Sequence, residues 1–139
     1  MMDTDALVAA VRSDRGASRV LLTAALERRY DVLASVPLML QYESVLTRPE
    51  HLVAAGISEM DVQVLLDAIA LVATPVQISY LWRPMLSDPG NDLVLETAVN
   101  CHADVVVTFN RRHFAPAAAG FGIEIVAPAE AVRRLEGRA

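Results

Sequence analysis

The sequence predicts an α/β fold in which a parallel sheet is covered by helices. Segments with helical hydrophobic spacing alternate with short strand-like runs along the chain, and the strand candidates are apolar on both faces, as in "VVV" at 105–107. A chain of 139 residues that is 54% hydrophobic can bury one core and is short for two, so a single domain over 1–139 is expected. In such sheets ligands bind outside the carboxyl ends of the strands. The residues that follow each strand are therefore the place to look for chemistry.

The elements follow in order. After Met1 and Met2, "TDALVAAV" and "ASRVLLTAALERR" read as helices separated by the turn-like "RSDRG". "DVLAS" is a short strand, and "PLMLQYESVLTR" is a helix opened by Pro37 in its first turn. "SEMDVQVLLDAIALVA" begins with Ser58 and carries Asp61 at the third position after it, a variant of the capping box. "VQISY" is a strand, "LSDPGND" a turn, "DLVLETAVN" a helix, "DVVVTF" and "IEIVA" strands, and "PAEAVRRL" the closing helix.

Bulk properties narrow the function classes. The net charge of −5 speaks against a general polyanion binder, although a local basic rim can still hold a phosphate backbone. All twelve basic residues are arginine, the better bidentate phosphate ligand, but codon usage explains the same uniformity. Cys101 is the sole cysteine, so no intramolecular disulfide forms; it reads as a small buried residue, and a reducing cytoplasm is expected. The N-terminal stretch has no long apolar core of the signal-peptide kind. The most apolar helix is interrupted by Asp67 and is shorter than the roughly 20 residues that span a bilayer. A soluble protein with no membrane partner is expected.

Past the strand ends lie Asp3, the loop carrying Ser35, and Thr108 through Asn110, with Asp88, Asn91 and Asp92 in a helix N-terminal turn able to reach the same region. This is a set of oxygen donors with few imidazoles and no thiolate. Hard donors suit Mg²⁺ or Mn²⁺ rather than zinc. The chemistry natural to such a site is phosphodiester hydrolysis by metal-activated water.

The segments "DTDALVAAVRSDRGAS", "SVPLMLQYESVLTRPEH", "LSDPGNDLVLETAVN", "ADVVVTFNRRHF" and "IVAPAEAVRRL" run from residue 3 to residue 135, and in order and spacing the chain resembles the PIN-domain family, in particular the bacterial branch of VapC-like ribonuclease toxins. The resemblance implies a three-layer α/β/α sandwich with a central parallel sheet. It also implies an acidic cluster that binds Mg²⁺ or Mn²⁺ and cleaves single-stranded RNA, a cognate antitoxin protein as partner, and a homodimer.

Carried over position by position, the match is uneven. Asp3 stands at the family's first acid, with Asp5 where the motif has asparagine. Gln41 stands where the helix "PLMLQYESVL" places a glutamate in the family, Asn91 where the "DPGND" turn places a metal-binding aspartate, and His113 where an aspartate often precedes the phenylalanine. The family also has an apolar strand of several residues before its first acid, whereas two methionines precede Asp3 here. That strand belongs in the middle of the sheet; either the true start lies upstream of Met1 or the strand is truncated, and exposed neighbouring edges would favour association.

Neighbouring acids offer partial compensation. At about 100° per residue, Gln41 and Glu43 flank the apolar stripe of their helix on opposite sides, so Glu43 does not replace Gln41 without a rotation. Asp92 adjoins Asn91, and Glu96 lies one turn further on the same face. The expected catalytic set is Asp3, Asp92 and Glu43. The expected metal set is Asp3, Asp92, Asn91 and Gln41, with Asp5, Thr108, Asn110, His113 and Glu96 in support. Amide ligands keep the pocket's shape and weaken its attraction for a cation. Each residue also has a plainer role: Asp88 as turn initiator, Asp92 as a helix N-terminal charge, Glu43 as a solvated face, Thr108 and Asn110 as loop hydrogen-bonders, His113 as surface. Arg12, Arg15, Arg111 and Arg112, with Arg19, are the candidates for RNA contact.

Three functions compete. The first is a metal-dependent ribonuclease of toxin type. The second is a degenerate module that binds RNA or a partner without cutting. The third is a haloacid-dehalogenase-like phosphatase built on "DTDA"; it needs a downstream lysine, and the chain contains none.

Overall fold

The structure, a computed structural model, describes residues 1–13, 15–76, 89–100, 103–112, 114 and 121–137, apart from the side chains of residues 76, 89–93 and 96. It is of the α/β class with parallel strands, as expected.

The chain begins extended. Val107 N donates to Met1 O and Asp3 N donates to Val107 O, each at 2.8 Å, so Met2 forms a parallel bridge with Val107. The short first strand therefore occupies a real strand position, with Met1 and Met2 both buried. In a parallel ladder alternate residues direct their backbone groups to opposite sides. Met2 O faces away from Val107, and the buried Tyr42 hydroxyl donates to it, doing for one carbonyl what a neighbouring strand would do.

Helix α1 (Thr4–Arg12) follows at once and buries Thr4, Ala6, Leu7 and Ala10, its inner face. Helix α2 (Ala17–Leu26) packs against it. Arg19 of α2 reaches back and donates to the carbonyls of Ala10 and Val11, which lie among the last carbonyls of α1 and lack helical donors. The helix expected to run through Arg29 stops earlier. Arg28 adopts a left-handed φ of 60°, and the amides of Arg28 and Arg29 turn back to Ala25 O and Ala24 O, a terminus of the kind that ends many helices.

Strand β1 (Leu33–Ser35) runs directly into α3 (Val36–Leu46). Ser35 ends the strand and caps the helix, its Oγ accepting from Leu38 N at 3.2 Å. Helix α4 (Pro49–Ala55) has no counterpart in the alternation read from the sequence; it buries no residue fully, so it leaves no periodic apolar signal. Its marks are Pro49 at the start and Gly56 at φ 69° at the end. Helix α5 (Glu59–Val72) opens with both arms of the capping box: Ser58 N donates to Asp61 Oδ2 at 2.9 Å and Asp61 N donates to Ser58 Oγ at 3.2 Å.

Strand β2 (Thr74–Val76) pairs in parallel with β1 in the register Leu33↔Thr74 to Ser35↔Val76. It begins two residues before the expected strand, whose remainder at 77–80 lies outside the described residues. Helix α6 (Pro89–Asn100) starts three residues before the expected Asp92, because proline is at home in a first helical turn. Residues 86–88 of the expected turn, Asp88 among them, and Cys101 lie outside the described residues. Strands β3 (Val105–Val107) and β4 (Glu124–Val126) form the second parallel pair, and α7 (Pro128–Glu136) closes the chain. Its Arg134 pairs with Glu124 and Glu130 at the surface.

One apolar cluster joins these parts. Leu7, Leu38, Leu46, Val62, Leu95, Val106 and Phe114 are its most buried large members. The first acid of the sequence thus emerges at the end of a strand that is packed on its apolar sides, where α1 begins.

Candidate functional site at the strand ends

Asp3 is the most deeply buried of the candidate acids whose side chains are described. Its backbone belongs to the ladder through Val107 O, and the residue is only 2% exposed. Thr108, the first residue past β3, is fully buried and donates from Oγ1 to Asp3 Oδ2 at 2.6 Å. The same Oγ1 accepts from Asn110 N at 3.0 Å, and Asn110 Nδ2 donates to the exposed Asp5 carboxylate. A single turn after β3 thereby holds both acids of "DTD". Parallel pairing explains the coincidence, because adjacent parallel strands end on the same side.

The electrostatics follow from burial. Desolvation pushes the Asp3 carboxyl up to about 6, from an ordinary 3.8; the charge of Asp5 adds to this, while the Thr108 hydroxyl and the amides of Thr4 and Asp5 pull the other way. A carboxylate held in this way is short of positive charge, and a hard divalent cation would supply it. On that count the residues present fit a metal of the Mg²⁺ type. Among the described residues no three His, Cys, Asp or Glu side chains come together as a metal cluster.

The other candidates are distributed unevenly around Asp3. Gln41 Nε2 donates to Thr4 Oγ1 at 2.8 Å, which brings this amide beside the residue that follows Asp3. Glu43, two residues on, turns instead towards α5, where it accepts from Gln63 Nε2 at 2.8 Å. It lines a cleft of about 420 Å³ between α3 and α5 together with Ser35, Met39, Leu66 and Asp67. Asn91, Asp92 and Glu96 lie on α6, but their side chains are outside the described set, and His113 is outside it altogether. The helix that carries them is anchored at the carboxyl end of β1, where the fully buried Thr97 shares a hydrogen bond of 2.9 Å with Ser35. Asp92 starts about 8 Å along the helix from Thr97.

Of the arginines, Arg111 and Arg112 are exposed immediately after Asn110. Arg12, the last residue of α1, is exposed on the order of 13 Å from Asp3 by helical rise, and Arg15 is exposed after the helix ends. Arg19 is engaged in capping α1. Sequence reasoning did not single out Thr97 or Thr4. Their signal was a threonine on an otherwise apolar helical face, which here marks a hydrogen bond between elements.

No helix among the described residues is long and apolar enough to cross a membrane. No curated protein and no solved structure matches the chain. The model of the PIN domain matches it over residues 1–112, a stretch that includes Asp3, Gln41, Asn91, Asp92 and the Thr108–Asn110 turn. The chain belongs to the PIN-domain family, whose members are nuclease-like, generally bind divalent metals and commonly bind nucleic acid.

Proposed function

We propose that the chain is one domain acting as a metal-dependent, single-stranded endoribonuclease, the cytoplasmic toxin component of a toxin–antitoxin pair. The observation that carries the reading is the buried Asp3 carboxylate at the strand end, clasped by Thr108 beside Asp5. Asp3 and Asp92 would hold Mg²⁺ or Mn²⁺, with the amide oxygens of Asn91 and Gln41 as neutral ligands. When bound, such an ion lowers the pKa of a coordinated water and neutralises charge developing on the phosphate. Thr108 fixes one oxygen of Asp3, and Asn110 fixes Asp5, so both carboxylates are oriented in advance. Arg111 and Arg112 attract the RNA backbone. The antitoxin and a second copy of the chain remain the partners that the resemblance implies.

One observation favours a second reading, a PIN-like module that binds RNA or a partner without cutting it. Gln41 offers an amide beside Thr4 where a third negative charge would hold the ion, and Glu43 faces α5.

Cleavage of end-labelled single-stranded RNA in Mg²⁺ or Mn²⁺ separates the two. The nuclease reading expects cleavage that EDTA stops and Asp3→Asn removes. It also expects the double variant Gln41→Glu/Asn91→Asp to cleave roughly tenfold faster or more, since the two added carboxylates together need contribute only about 1.4 kcal/mol. A folded wild type without metal-dependent cleavage, together with a double variant that has it, supports the degenerate module. Inactivity of both proteins would overturn a site centred on Asp3.

A further inference from the structure

We propose that Phe109 is a stacking platform for a nucleobase of single-stranded nucleic acid, placed at the lip of the Asp3 site. The inference rests on the nucleic-acid reading of that site and names the part of the substrate that this residue would recognise.

Among the described residues, most exposed large apolar side chains are aliphatic and lie on helix faces, such as Val36, Leu40, Val64 and Leu71. Two are aromatic, Phe109 and the less exposed Phe121, and Phe109 differs in place as well. It is 56% exposed and sits between Thr108, which donates to Asp3, and Asn110, which donates to Asp5. The backbone on both sides is tied down: Thr108 N donates to Val126 O at 3.0 Å, and Asn110 N donates to Thr108 Oγ1 at 3.0 Å. These bonds hold in place the turn that carries the ring.

Chain geometry keeps the ring near the acids. One Cα step from Thr108 and the length of the two side chains bound its distance from the Asp3 carboxylate to on the order of a dozen ångströms. That is within reach of a nucleotide next to a phosphate lying at Asp3. Arg111 and Arg112 follow directly and are exposed; no acid engages them among the described residues. An aromatic face followed by guanidinium groups is the composition that holds single strands, the ring taking a base and the cations the phosphates. Every base has a π-face, so such a platform favours unpaired over paired nucleic acid and shows little preference among sequences.

The test is binding in EDTA, so that it does not depend on cleavage. Fluorescence anisotropy would compare a single-stranded oligoadenylate about ten nucleotides long with an abasic oligomer of equal length and charge. Wild type is expected to bind the base-bearing oligomer about tenfold more tightly. Phe109→Leu, which keeps an apolar side chain, should collapse that ratio while changing affinity for the abasic oligomer by less than about twofold. Phe109→Trp should keep or raise it. An unchanged ratio in Phe109→Leu, or no measurable binding of either oligomer, would overturn the proposal. Cleavage in Mn²⁺ then separates it from the parent reading. Base-dependent binding lost in Phe109→Leu but without cleavage would uphold the platform and sink the nuclease. Cleavage that Phe109→Leu leaves unaltered in KM, with an unaltered binding ratio, would do the reverse.

Discussion

A carboxylate at 2% exposure is an expensive thing to build into a fold. Because the folded protein holds the Asp3 proton more tightly than the unfolded chain does, this group contributes stability that is fully present below about pH 3.8 and is lost as the pH rises through about 6. The interval corresponds to at most about 3 kcal/mol. Metal-free wild type is therefore expected to lose stability across that window relative to Asp3→Asn. At pH 7 the variant should be the more stable by about 1–3 kcal/mol, as read from urea midpoints at several pH values. Saturating Mn²⁺ should raise the midpoint of wild type and leave that of the variant nearly unchanged. A pH-independent difference would mean that Asp3 is not desolvated as the structure places it. Asp3 itself was legible in the sequence, from its position past an apolar start. Its clasp by Thr108 was not, because a contact between residues so far apart in the chain exists only once the strands are paired.

Among the elements, local chemistry was the best guide. Ser58 and Asp61 announced the start of α5, and both capping bonds are present. The expected consequence is specific: Ser58→Ala should destabilise the protein by about 1 kcal/mol, measured by chemical denaturation, with RNA binding unaffected. Weaker signals failed for identifiable reasons. Helix α4 is too exposed to carry hydrophobic periodicity, α2 ends early at a left-handed arginine, and α6 begins early at Pro89. Helix α3 illustrates a different point. Helical spacing already separated Gln41 from Glu43, yet which of them would approach Asp3 depended on where Thr4 and Gln63 came to rest.

For the protein overall, a net charge of −5 and the exposed pair Arg111 and Arg112 beside the Asp3 turn predict nucleic-acid binding of modest salt dependence. Two phosphate contacts on a single strand give a slope of log K against log salt of about −1.4. Arg111→Ala/Arg112→Ala should remove about that much of the slope measured in EDTA, and a slope unchanged in the double variant would locate the electrostatic contact elsewhere.

Read alone, the amino-acid order was enough for the α/β class, because it depends on periodicity, capping and parallel connectivity, and for the family, because its motif segments stand in order along the chain. Folding in three dimensions was needed to bring Thr108 and Asn110 onto Asp3 and Asp5, to turn Gln41 and Glu43 to different neighbours, and to leave Phe109 facing solvent. Those outcomes rest on contacts between residues distant in the chain, and such contacts follow from the packing of one shared core, which no local pattern encodes.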